Sequence, residues 1–193
     1  MPNSLSSDMT KRLMVQSLKK HMAKKPLEKI SIREITEDCG VNRQTFYYHF
    51  EDIYAMVKWM YQEEAVKLMA GHEGVLLWQD GIMQLLRYIE ENKEVCLCAL
   101  YSLGHHHLKR FFYDDIHALI EKTVHAIAEQ LPNVSQDYGE FITHYYSVTL
   151  AAMVESWLLG EIKLAPDELL KFIDITIKDQ IRGALQRKGE LTQ

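Results

Sequence analysis

Apolar side chains recur every three or four positions along most of this chain, the spacing of amphipathic helices, and no strand is needed to account for them. Four prolines and nine glycines are the main interruptions. The pattern predicts an all-α protein of about nine helices. A first helix runs from about Asp8 to Lys25, with Met14, Leu18 and Met22 on one face, and stops before Pro26. Residues 31 to 50, SIREITEDCGVNRQTFYYHF, read as two short helices joined by a glycine turn. Ser31 and Glu34 form a capping box for the first of them, flanked by Ile30 and Ile35 as a hydrophobic staple. Gly40 suits a left-handed helix stop, and Asn42 is the N-cap of the second helix, with Val41 and Phe46 at its staple positions. A fourth helix follows from about Asp52 to Ala70, carrying Met56, Met60 and Leu68 and ending near Gly71–Gly74. Five more fall near 79–91, 93–103, 105–130, 137–159 and 167–187. Breaks at Gly104, at Leu131-Pro132-Asn133 and from Gly160 to Pro166 separate the later ones, and the last opens on Pro166 with Asp167 and Glu168 in its first turn, where acidic groups suit the helix dipole.

Met14, Leu18 and Met22 can pack on Ile32, Ile35, Phe46 and Phe50, closing a three-helix unit in which the methionines are ordinary core. The last two helices are long. One carries the small residues Ser147, Ala151 and Ala152; the other has an apolar face of Leu169, Phe172, Ile173, Thr176, Ile177, Ile181, Ala184 and Leu185. Periodicity alone allows these stripes to be buried within one subunit or against a second copy.

At 193 residues, 47% of them hydrophobic, the chain has enough apolar surface for a real core. The net charge of −5 conceals an asymmetry: residues 1–50 hold nine Lys or Arg against five Asp or Glu, while the remainder holds thirteen against twenty-two. Taken alone, the basic start also suits a lysine-rich solvated face. Joined to the two-helix motif, it points to a polyanion, and so to double-stranded DNA. The polar start MPNSLSSDMTKR lacks a signal-peptide h-region and no apolar run approaches the roughly 18 residues of a membrane span, so a cytoplasmic protein with no membrane partner is expected. Cys39, Cys96 and Cys98 are odd in number and badly spaced for a disulfide framework.

A major groove admits one helix, read by side chains at its leading end. Asn42, Arg43, Gln44 and Thr45 stand there in the second short helix. Arg binds guanine bidentately, Gln pairs with adenine and a Thr methyl meets thymine. Tyr47 and Tyr48 follow, where hydroxyls reach phosphate, and His49, Ser31 and Arg33 are phosphate candidates. Phe46 and Phe50, four apart, belong to the core. Further along, Trp78, Tyr101, His105, Phe111, Phe112, His117, His144, Tyr145 and Trp157 are aromatic; packing is their default role, and Tyr101, His105, His117, Tyr145 and Trp157 are the candidates for an effector pocket. His105, His106 and His107 with Cys96 and Cys98 do not make a metal site, because helical residues two apart point about 200° from one another. No cofactor is expected, and no glycine phosphate loop, nucleophile elbow or metalloprotease helix marks an enzyme.

Ile35-Thr36, Cys39-Gly40-Val41-Asn42 and Tyr47-Tyr48-His49-Phe50 resemble the tetracycline-repressor (TetR) family of bacterial transcription regulators, whose pattern is an apolar-small pair, Ala-Gly-Val-Ser and Tyr-x-His-Phe. The resemblance spans about residues 10 to 56, with Thr36, Cys39 and Asn42 replacing small residues by small ones. Ile53 stands where many members hold a Lys against a phosphate, so that contact is not carried over. The resemblance implies a helix-turn-helix DNA-binding domain at 1–51 and a helical effector-binding and dimerisation domain at 52–193. It further implies a homodimer on a palindromic operator, repression as the output, and an unknown small-molecule effector. Tyr47 to Phe50 followed by Trp59 is also similar to the subgroup controlling dihydroxyacetone kinase operons, in which a partner protein receives the signal.

Overall fold

The computed structural model describes the backbone of residues 3–66, 78–103, 105–131 and 134–191, and the side chains among them except 3–6, 65, 66, 78, 103, 105–112, 115, 178 and 188–191. Among the described residues all regular structure is helical. The chain divides into two compact units, one made of residues 1–67 and 92–105, the other of 68–91 and 106–193.

In the first unit, α1 (Asn3–Met22) leads through a 3-10 turn (Leu27–Lys29) to α2 (Ile32–Cys39), α3 (Arg43–His49) and α4 (Ile53–Tyr61). The segment Lys93–Leu103, α6 in chain order, returns to pack on α1 and on the 3-10 turn. Met14, Leu18, Ile35, Phe46, Met56 and Leu100 are fully buried at the centre. Two sequence expectations need correction. The first helix begins five residues earlier than the apolar spacing suggested and ends at Met22, its last bonds tailing off through His21 before Pro26. The fourth helix does not continue as an α-helix toward Ala70: it widens into a π turn at Gln62–Val66. Leu68, the glycines near 71–74, Gly104 and Pro132-Asn133 lie outside the described residues.

In the second unit, α5 (Trp78–Glu91), α7 (His105–Ala128), α8 (Gln136–Leu158) and α9 (Pro166–Leu191) pack together, α9 lying along α5 and α8. Pro166 opens α9 with Asp167 and Glu168 in the first turn, as its sequence required. The turn before it closes on Gly160 at φ 77 and on the Trp157 indole, which donates to the Leu164 carbonyl at 2.9 Å. The stripes of the last two helices split. Leu169, Ile173, Ile177, Ile181 and Leu185 are buried, while Phe172 and Ile175 are more than half exposed. On α8, Ser147 and Ala151 pack inside the subunit, while Phe141 and Tyr145 face outward with rings stacked at 6.2 Å. Among the described residues no helix is long and apolar enough to cross a membrane.

Candidate nucleic-acid interface

Local chemistry fixes α2 and α3 almost residue by residue. The Ser31 hydroxyl accepts the Glu34 amide at 3.3 Å while the Ser31 amide donates to the Glu34 carboxylate at 2.9 Å, a reciprocal capping box. Lys25 adds an ion pair at 2.6 Å. The Lys25 ammonium first, and the Ser31 amide and hydroxyl after it, hold the Glu34 carboxyl at about 2. Gly40 ends α2 at φ 66, ψ 26, and the Val41 amide returns to the Thr36 carbonyl at 3.0 Å. A Cβ at Gly40 would meet nothing within 4 Å, so backbone conformation, not crowding, requires glycine there. The Asn42 side chain then accepts both the Thr45 amide (2.8 Å) and the Thr45 hydroxyl (3.1 Å), starting α3. Asp52 caps α4 in the same way, accepting the Ala55 amide at 2.7 Å.

What these caps hold in place is a short helix with a buried and an exposed side. Phe46 and Phe50 are buried with ring centroids 5.9 Å apart, and Trp59 of α4 meets Phe50 edge-on at 5.8 Å. Arg43 and Gln44 are exposed at the leading end, and Tyr47 (54% exposed) and Tyr48 (82%) continue the outward face. The other proposed contacts are already engaged in the protein. The oxygens of Ser31 and Asn42 cap helices, and Thr45 is half-buried with its hydroxyl on Asn42. Arg33 is exposed and bonded to Glu37 at 2.7 Å, which raises its pKa. His49 is half-buried; burial first, then the nearby Lys11 charge, hold its pKa below the ordinary imidazole value. Lys11 itself lies 5.4 Å from the centre of the Trp59 ring. Ile53 is half-buried at the start of α4, with Tyr54 and Lys58 exposed beyond it.

Support for this surface comes partly from residues that the local pattern did not single out. In α6 the Ser102 hydroxyl accepts the Leu27 amide at 3.1 Å, and the Cys98 thiol donates to the Lys25 carbonyl at 3.6 Å, on either side of Pro26. The only sequence trace of this is a pair of small polar residues four apart, on one helix face. Lys20 pairs with Asp38 at 3.0 Å, tying α1 to α2.

The effector candidates are divided between the two units. Tyr101 belongs to the first unit and is 67% exposed; the other four fall in the second except His105, whose side chain lies outside the described residues. Tyr145 is 53% exposed and Trp157 closes the Gly160 turn. His117, whose ring is tilted against that of Tyr113 with centroids 5.4 Å apart, lines a cleft of about 760 Å³ between α7 and α8, together with Glu121, His125, Glu129, Glu140 and Thr143. Among the described residues no three His, Cys, Asp or Glu side chains are placed to hold a metal ion. Burial pushes the Cys96 thiol up to about 12 and raises Cys39 and Cys98 as well, so none presents a ready thiolate.

Comparison with known proteins bears on this arrangement directly. Residues 77–179 match the model of a transcriptional regulator C-terminal region, and residues 19–59 match that of the bacterial regulatory proteins of the tetR family. The HTH-type dhaKLM operon transcriptional activator DhaS of Lactococcus lactis is 26% identical over 91 residues, 47% of this chain; the match spans 49% of that relative, about half its length. A solved structure of a dihydroxyacetone kinase operon activator DhaS superposes with a TM-score of 0.72 at 22% identity, covering 90% of this chain and 96% of that one, a likeness of fold. These families and relatives are regulators of transcription, not enzymes. With both parts of the chain matched and the helix-turn-helix geometry in place, the protein belongs to the TetR family of transcription regulators.

Proposed function

We propose that residues 1–51 bind a partly palindromic DNA operator through α3, and that residues 52–193 carry dimerisation and signal reception. The observation that carries this reading is the exposure of Arg43 and Gln44 at the start of a helix whose Phe46 and Phe50 are sealed in the core. Arg43 and Gln44 act as base readers, Tyr47, Tyr48 and His49 as contacts further along, and Arg33 and the start of α2 at Ser31 as phosphate contacts; Asn42 and Thr45 mainly hold α3 in shape. The outward Phe141, Tyr145, Phe172 and Ile175 support a homodimer formed through α8 and α9. Twofold symmetry then presents two α3 helices about 34 Å apart to one DNA face. Both relatives are named activators, which favours activation over the repression implied by family resemblance.

The signal we assign to an effector received by residues 52–193. A partner protein docking on the surface is the second reading, favoured by the solvent-facing Tyr101. The test is a fluorescence-anisotropy titration of the protein on its own upstream DNA and on a scrambled duplex as salt is raised. Arg43→Ala should lower affinity for the upstream fragment by about 5- to 150-fold, from 1 to 3 kcal/mol for a bidentate base contact, and leave the scrambled duplex little changed. Equal losses on both duplexes would remove Arg43 from base reading.

A further inference from the structure

Three of the four Lys and Arg side chains of α1 meet a carboxylate from another part of the first unit: Arg12 meets Glu63 at 3.5 Å, Lys19 meets Glu64 at 2.7 Å and Lys20 meets Asp38 at 3.0 Å. Lys11 is held differently. Its ammonium lies over the Trp59 ring of α4, 5.4 Å from the ring centre, and the carboxylate it meets, Asp8 one turn back on the same helix, stands at 3.8 Å and is 63% exposed. An aromatic face fixes an ammonium without neutralising it, and an exposed pair within one helix contributes little and is screened by salt. Lys11 therefore keeps a positive charge at a fixed place. The ring beneath it leads to α3: Trp59 meets Phe50 edge-on at 5.8 Å, Phe50 lies 6.5 Å from the His49 ring, and His49 stands edge-on at 4.9 Å from the exposed Tyr48. The first turn of α4, Ile53 to Met56, carries no cation. Lys11 and His49 are close enough that the lysine charge, after burial and against the opposing Asp8 carboxylate, holds the imidazole below its ordinary pKa. One anion placed between two such groups relieves both.

We propose that Lys11, seated on Trp59, is a further contact to the DNA backbone and closes on one phosphate together with His49. The inference rests on the DNA-binding reading above. The arriving phosphate replaces repulsion between the two cations by attraction of both to one anion, so the imidazole takes up a proton as the complex forms. DNA binding is then tighter at low pH, and the gain is lost as pH rises past the value of the imidazole in the complex. The free imidazole titrates below 6.5, so the loss runs from about pH 6 upward, by at most about tenfold per pH unit for each head. Around His49 the charged and titratable groups are Lys11 and Asp8 from α1, Tyr48 beside it on α3, and Glu51 and Asp52 in the turn that follows, where the Asp52 carboxylate is engaged by the Ala55 amide.

The experiment titrates the full chain on upstream and scrambled DNA, across a salt series and from pH 6 to 8, for wild type, Lys11→Met, Lys11→Arg, His49→Gln and Lys122→Met. Lys122, exposed on α7 in the second unit, controls for the loss of one positive charge at a distance. Lys11→Met should bind both duplexes about tenfold more weakly, with a salt slope shallower by about 0.9 for each head, while Lys122→Met stays within about twofold of wild type. Lys11→Arg keeps the charge and stacks on the ring, and should stay within about threefold. Between pH 6 and 8 the affinity of wild type should fall about tenfold more than that of His49→Gln, and Lys11→Met should lose at least about half of that excess. Equal losses in Lys11→Met and Lys122→Met, or a pH dependence that His49→Gln leaves intact, overturn the proposal. Wild-type protein that binds neither duplex removes the DNA-binding reading and this inference with it; wild-type binding that Lys11→Met leaves unchanged removes this inference alone.

Discussion

Arg33 is the most directly adjustable phosphate candidate, because its partner is visible. Its guanidinium is bonded at 2.7 Å to Glu37 one helical turn away, both side chains are mostly exposed, and the pair is electrically neutral as it stands. Glu37→Gln keeps the shape of the side chain, removes the carboxylate and frees Arg33 for a phosphate oxygen. One additional phosphate neutralised steepens the dependence of log affinity on log salt by about 0.9. Between 50 and 200 mM salt, a fourfold change, the advantage of the variant should therefore shrink by about 3.5-fold. At low salt the variant should bind upstream and scrambled DNA more tightly by the same factor, since a phosphate contact carries no sequence information. Arg33→Ala should do the reverse on both duplexes. The assay is an anisotropy titration at four or more salt concentrations, with helicity checked by circular dichroism. A salt slope indistinguishable from wild type in Glu37→Gln would place Arg33 away from the DNA and refute the reasoning.

Three further outcomes follow from the geometry. Gly40→Ala should cost about 1–2 kcal/mol in denaturant unfolding, because φ 66 is left-handed and no neighbour lies close enough to add a clash, and Gly40→Asn should cost less. Glu34, held near 2 against an ordinary carboxylate value of 4.5, stabilises the folded state above the higher value; that contribution should fade as pH drops from about 4.5 toward 2, and thermal melts of Glu34→Gln should lack this component. Ile175→Glu, at an exposed position, should leave the melting curve within about 0.5 kcal/mol of wild type yet shift sedimentation toward monomer, and an unchanged dimer would exclude this face.

Caps were legible in the sequence because they are local chemistry. Ser31 with Glu34, Gly40 and Asn42 each needed only residues within three or four positions, and each stands as its side chain dictates. The inward Phe46 and Phe50 were legible for the same reason, being one turn apart on a short helix. What could not be read depends on distant partners. Nothing in Gln-Glu-Glu-Ala-Val announces a π turn; Arg12 and Lys19, which pair with its carboxylates, stand 51 and 45 positions away. Nor does the periodicity of 93–103 show that Cys98 and Ser102 grip the turn around Pro26. In α9 a wide apolar arc served two purposes, and hydrophobicity does not distinguish Ile173, which is buried, from Phe172, which is not. Nor did aromatic identity tell that Tyr101 and Tyr145 stand more than half exposed, since a ring suits a pocket, a core or a surface equally.

The engagement of Asn42, Thr45 and Ser31 in capping has a consequence for specificity. It leaves Arg43 and Gln44 as the two side chains of each head able to pair bidentately with a base. At about 1–3 kcal/mol each they give one head roughly 2–6 kcal/mol of discrimination, or about 30- to 25,000-fold. Sequence-specific regulators commonly exceed their non-specific binding by about 4–10 kcal/mol. A single head therefore reaches only the lower part of that range, and two heads acting together, at about 4–12 kcal/mol, cover it. On the reading proposed above, rigid capping and dimerisation are two halves of one solution: the caps take polar groups out of base reading in exchange for a fixed helix, and a second copy on a symmetric site would restore the discrimination that the first gives up.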